Sequence, residues 1–229
     1  MKRIGLLLIV VAVAGACDRS TEPSTGSSAA SLTASSGHSN GAIWSSASRM
    51  KMIDDPVGDS VPETSPFMDT VAYGVDWVPT DESEGGTFLF RFEVAAPIPD
   101  SFQVPMGHDA AQYSFCLDSD PSTSPGGYPF ANNDPVWCEF ILTAVSDGGA
   151  WSGTLIDRRP LLEGSNAETP GITFLTEDTD GLFVVSDDLL GDPRSFSWAM
   201  TASLLMLPLP SDNFIDLDAN YEEMIAFHR

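Results

Sequence analysis

From residue 70 onward, large apolar side chains recur at every second position, and that rhythm restricts the chain to extended strands. Val71, Tyr73, Val75 and Trp77 alternate with Thr70, Ala72, Gly74 and Asp76. Phe88, Phe90, Phe92 and Val94 alternate with Leu89, Arg91 and Glu93. Phe196, Trp198, Met200, Ala202 and Leu204 alternate with Ser195, Ser197, Ala199, Thr201 and Ser203. A strand points successive side chains to opposite faces, so each run offers one bulky face to a core. Further strands are expected over 112–118, 136–145, 151–156, 171–176 and 182–186.

Turn chemistry separates these runs. Glu84-Gly85-Gly86, Pro125-Gly126-Gly127, Asp147-Gly148-Gly149 and Asp180-Gly181 are turn signals, and the third predicts a hairpin. Many short strands at this spacing predict an all-β fold. The expected form is a two-sheet antiparallel β-sandwich of jelly-roll type with little helix; a barrel is the other arrangement. Helix is expected only as one turn over 186–190 and near the end over 221–227.

The N-terminal part reads as an export signal. Lys2 and Arg3 precede an apolar run from Ile4 to Ala16, too short to cross a bilayer and bounded like a signal peptide over 1–16. Ala14-Gly15-Ala16-Cys17 resembles the lipobox of bacterial lipoproteins, with Ala14 where that pattern usually has Leu. The resemblance implies lipidation of Cys17. The same residues also read as an ordinary A-x-A cleavage site, which would give a secreted protein. Residues 17–49, rich in Ser, Thr, Ala and Gly, have too little apolar content to offset the entropy of ordering them and are expected to be a flexible tether. Trp44 is the one bulky residue there that could dock on the domain. The rest, 50–229, has the length of one domain.

Two cysteines remain beyond Cys17. An even pair in an oxidising compartment predicts a Cys116–Cys138 disulfide, worth on the order of 3 kcal/mol; two buried thiols are the alternative. The phase of the alternation opposes a simple cross-strand bond. Cys116 falls with Gln112 and Ser114, whereas Cys138 falls with Val136, Phe140 and Leu142. Either a bulge shifts the phase or the bond joins a strand to a loop.

Thirty-three acids against ten Lys and Arg give a net charge of −23. Such a field repels nucleic acid and anionic headgroups, so contact with a membrane is expected through the lipid anchor only. Some of the acids could hold cations. Asp118 and Asp120 leave a strand for a Pro/Gly-rich loop, with Asn132, Asn133 and Asp134 beyond it. Asp54, Asp55 and Asp59 form a second oxygen-rich group. Calcium takes about six to eight such oxygens from loops, although Asp and Asn also cap and turn the chain.

Several short segments follow in order: Asp54-Asp55-Pro56-Val57-Gly58-Asp59, Asp69, residues 88–94, Tyr113 to Asp120, Asn133-Asp134-Pro135-Val136, Val185 to Gly191 and Phe196-Ser197-Trp198. Together they resemble the carbohydrate-binding family 9-like and DOMON-like β-sandwiches of secreted proteins. The resemblance implies a sandwich and adds weight to calcium at Asp118, Asp120 and Asp134. It implies ligands ranging from sugars to haem. A glycan site needs an aromatic platform beside polar groups. Trp151, Tyr128 and Trp137 are the candidates, with packing as the other role for each; Trp77 and Trp198 alternate cleanly and read as core. For haem, Met106 and His108 lie too close together to flank it from both sides. No nucleophile elbow, zinc-protease motif or phosphate loop is present, and the histidines are His38, His108 and His228, so catalysis is not expected.

Two functions follow as expectations. One is an extracytoplasmic, lipid-anchored binding module for a glycan, stabilised by calcium. The other is a structural or protein-interaction lipoprotein that meets a cell-surface protein and has no small-molecule site.

Overall fold

A computed structural model describes residues 40–55, 65–79, 85–102, 109–120, 128–129, 135–136, 138–205 and 225–229. Residues 1–16, Cys17, Asp59, Met106, His108, Asp134 and Trp137 lie outside that set. Among the described residues no helix is long and apolar enough to cross a membrane.

The fold is all-β. The helix α1 (Asn40–Ala47) precedes β1 (Ile53–Asp54), β2 (Thr70–Pro79), β3 (Gly86–Val94) and β4 (Ala110–Asp118). Then come β5 (Tyr128–Pro129), β6 (Pro135–Val136), β7 (Phe140–Ser146), β8 (Ser152–Asp157) and β9 (Gly171–Glu177). β10 (Asp180–Ser186), β11 (Ser195–Leu205) and β12 (Ile225–His228) complete it. The period-two runs thus form strands where alternation placed them, and β7 and β8 pair antiparallel across the Asp147-Gly148-Gly149 hairpin. A 3-10 turn occupies Asp187–Leu190 as expected.

Sheet connectivity differs from the expectation of two separate sheets. Ten strands form one antiparallel sheet in the order β1-β2-β3-β10-β9-β8-β7-β4-β11-β12. The ladder passes from one half to the other between β8 and β9, through Gly153↔Ile172 and Thr154↔Gly171 and on to a bridge between Asp157 and Glu168. Glycine permits this. A Cβ on Gly153 would stand 2.7 Å from the carbonyl oxygen of Ile172, so a side chain there would push β9 away. The sheet curls, so that β3 and β4, which are far apart in the strand order, meet ring to ring.

The core between the halves is aromatic. Phe90 and Phe92 of β3 meet Phe115 and Tyr113 of β4 at centroid distances of 5.3 and 4.4 Å. Phe88 packs edge-on against Phe196 of β11 at 5.4 Å. Trp198 is buried among them, as its alternation predicted. Trp77 is only half-buried at the rim. Its ring covers Gly86, and the Arg229 guanidinium lies 4.3 Å from its centre on a cation–π contact.

Two further differences arise from packing. Residues 225–228 form strand β12, not helix, because Phe227 stacks on Phe196 at 5.0 Å and also meets Phe88. Part of the segment expected as a tether, residues 40–49, is structured. α1 is too short to stand alone, but Ala47 is buried and Ile43 and Trp44 pack with Met50, Leu89 and Leu182 on the outer face of β3 and β10. Gly74 admits that layer, since a Cβ there would stand 2.7 Å from the Lys51 carbonyl oxygen. Gly74→Ala is therefore expected to destabilise the fold by roughly 1–3 kcal/mol through overpacking, measured by urea denaturation; an unchanged midpoint would refute the close approach.

Candidate functional site

Strand direction gathers several polar groups at one end of the sheet. β4 ends at Asp118, β7 starts at Phe140, β8 ends at Asp157, and β10 ends at Ser186. Leu117 pairs with Phe140, which brings Asp118 opposite Glu139 on the outer face. Cys116 and Cys138 are joined here, with Cα atoms 5.5 Å apart. The phase conflict is resolved at Cys138. It lies before β7 begins, outside the alternation, so the bond joins a strand to a connecting segment.

Asp118 and Glu139 form a buried acid pair, exposed by 9% and 1%. The Ser119 amide donates to Glu139 Oε2 at 2.7 Å, and the Ser119 hydroxyl donates to the same oxygen at 3.4 Å. Asp118 is hydrogen-bonded to Glu139 and accepts from the Asp120 backbone, yet its Oδ1 has no hydrogen-bond partner. Burial first, and then the Glu139 charge, push the Asp118 carboxyl up to about 6. Two carboxyls in hydrogen-bond contact must share either a proton or a cation.

The proton option has a defined pH signature in metal-free protein. The folded state holds the Asp118 proton up to about 6, whereas the ordinary value is 3.8. Between these limits the folded chain binds more proton than the unfolded one, so stability falls as pH rises. The slope is at most about 1.4 kcal/mol per pH unit. The expected result, in chelator, is a higher melting temperature at pH 5 than at pH 7, with Asp118→Asn removing this component. Identical pH profiles for the two proteins would exclude it.

The expected site residues are distributed unevenly. Asp118 and Asp120 stand together, and Asp134 lies outside the described residues. Among the described residues no group of three or more His, Cys, Asp or Glu is placed to hold a metal. Trp151 lies toward the other end. It stacks on Tyr113, five residues back along β4 from Asp118, a distance of about 17 Å at the usual strand rise. Its indole N–H donates to the Pro99 carbonyl at 2.8 Å and its ring packs against the core. Tyr128 pairs with Val136 in the β5–β6 ribbon, and Trp137 lies outside the described residues.

Sequence reasoning passed over Glu139. The available signal was a lone acid between Cys138 and an apolar run. It also passed over the basic residues of this end. Arg159 grips Asp157, with Nη2 to Oδ2 at 2.6 Å, while its guanidinium lies 4.4 Å from the Phe140 ring centre. The Asp157 hydrogen bond is the main cause that pushes the Arg159 guanidinium further up. Arg229 pairs with Asp192 at 2.7 Å and with buried Asp187 at 3.4 Å.

These features define an all-β domain with a curled sheet and a polar, disulfide-stapled end. Comparison with family models, with curated proteins and with solved structures found no match to this chain.

Proposed function

We propose that the chain is an extracytoplasmic binding module, anchored through a lipid on Cys17, whose domain holds a calcium ion beside Asp118 and presents a glycan-binding surface. The observation that carries the cation reading is the unpartnered Oδ1 of Asp118, buried against a second carboxylate. Asp118, beside Glu139, offers hard oxygens of the kind calcium prefers, and Asp120 and Asp134 are the proposed further ligands. A cation there would replace the shared proton and offset the repulsion of the pair.

Calcium added to chelator-treated protein tests this reading. Extracytoplasmic sites commonly bind in the range of about 0.1–1 mM. At a hundredfold excess over such a constant the folded state gains roughly 2.7 kcal/mol. In a domain of this size that raises Tm by roughly 5–10 °C. Asp118→Asn abolishes the rise. No shift at 10 mM calcium, a concentration of about 100 times the tighter constant, would sink the site. A glycan array on the same protein tests the ligand class.

The second reading is a structural or protein-interaction lipoprotein without a small-molecule site. It is favoured by Trp151, which spends one ring face on Tyr113 and its N–H on Pro99. Trp151→Ala separates the two readings: a sugar platform loses glycan binding at unchanged fold, whereas a packing residue loses stability.

A further inference from the structure

Three large apolar side chains stand in solvent among the described residues: Leu161, Leu162 and Leu189, exposed by 38%, 46% and 37%. They are not scattered over the surface. Leu161 and Leu162 belong to the turn Arg159–Glu163 after β8, and Leu189 to the turn Asp187–Leu190 after β10. Both strands end on the same side of the sheet. The adjoining segments approach closely, since a Cβ on Gly191 would stand 2.7 Å from Arg159 Nη1. Clustered exposed apolar groups with a polar rim mark contact surfaces.

Beside the leucines the chain closes on itself. The Asp157 amide donates to the Glu168 carbonyl at 2.8 Å, and the Glu168 amide donates back at 3.0 Å. The loop between them walls an open cleft of about 440 Å³, lined by Asp157, Arg159, Glu163, Ser165, Asn166 and Glu168, with Pro160. Three carboxylates face one guanidinium, and that guanidinium is held by Asp157. The cleft is therefore negative, and the exposed Leu161 and Leu162 lie in the chain between its lining residues Pro160 and Glu163.

We propose that this end of the domain docks a partner protein through a segment in which a Lys or Arg lies between apolar side chains. The basic side chain enters the cleft toward Glu163 and Glu168, and its neighbours cover Leu161 and Leu162. Charge selects this occupant. A net charge of −23 opposes both a second copy brought to the same face and an anionic lipid surface, while it attracts a basic segment. An apolar contact with a charged rim is the usual anatomy of such a surface. The surface goes beyond the calcium and glycan reading and does not depend on it.

The test uses a fluorescein-labelled peptide of alternating Lys and Leu, titrated by anisotropy with the purified chain in chelator and physiological salt. Saturable micromolar binding is expected. Leu161→Ser/Leu162→Ser should weaken it at least tenfold, as should Glu163→Gln/Glu168→Gln, with near-ultraviolet circular dichroism unchanged in both. A Lys–Ser peptide of equal charge should bind at least tenfold more weakly. No saturable binding, or binding indifferent to the leucine variant, overturns the proposal. So does concentration-dependent dimerisation that the leucine variant abolishes, or leucine-dependent binding to phosphatidylglycerol vesicles.

Discussion

Phe115→Ala is expected to lower the unfolding free energy by about 3–5 kcal/mol, the range for emptying a buried phenylalanine site. Phe115 is fully buried at the meeting of the two halves of the sheet. It meets Phe90 at 5.3 Å, Trp198 at 5.7 Å and Phe183 at 5.8 Å. Those rings come from three different strands, so no single side chain can move in to fill the space. A cavity shared between rigid aromatic walls collapses poorly, which places the cost at the upper part of that range. Half-buried Phe174, on β9 beside the bend, serves as the comparison, with an expected loss of about 1–2 kcal/mol because part of its surface is already wet. Denaturant midpoints with unchanged slopes measure both. Equal losses at the two positions would contradict the core described between β3 and β4.

Removing the disulfide is the second large effect. Cys116→Ala/Cys138→Ala is expected to cost on the order of 3 kcal/mol, since the bond spans a sequence separation of 22. That corresponds to a fall in Tm of roughly 6–12 °C. The loss also has a local component. Cys138 precedes Glu139, and Cys116 lies two residues before Asp118, so the staple holds the acid pair together. The variant should therefore lose the Asp118-dependent pH component as well as stability. A titration of thiols in denaturant distinguishes the cases: two reactive thiols in untreated protein, with no stability loss in the variant, would contradict the bond.

Much of this fold was legible because its signal is local. Alternation of side chains along Phe88 to Val94 or Phe196 to Leu204 depends only on the geometry of an extended chain, and turn residues depend only on their own backbone angles. Even so, local signals misplace what packing decides. Asp180-Gly181 reads as a turn, yet the tight bend falls earlier, at Asp178, with φ of 54°. Gly181 belongs to β10, where it leaves room for the Phe92 ring of the paired strand. The helix α1 carries no strong pattern of its own and forms because Trp44 and Ile43 find an apolar face to cover.

The candidate site was legible only in part, for the same reason. Asp118 and Asp120 stand out by spacing, whereas Glu139 becomes their partner only when β4 and β7 pair in register. The amino-acid sequence alone determined that the domain is built from strands, where the long ones run and which of their faces are bulky, because a two-residue period is a property of neighbouring residues. Tertiary structure decided the curl of one continuous sheet, the strand at the C-terminal end and the union of Asp118 with Glu139. Those depend on contacts between segments far apart in the chain, whose energies no local pattern records.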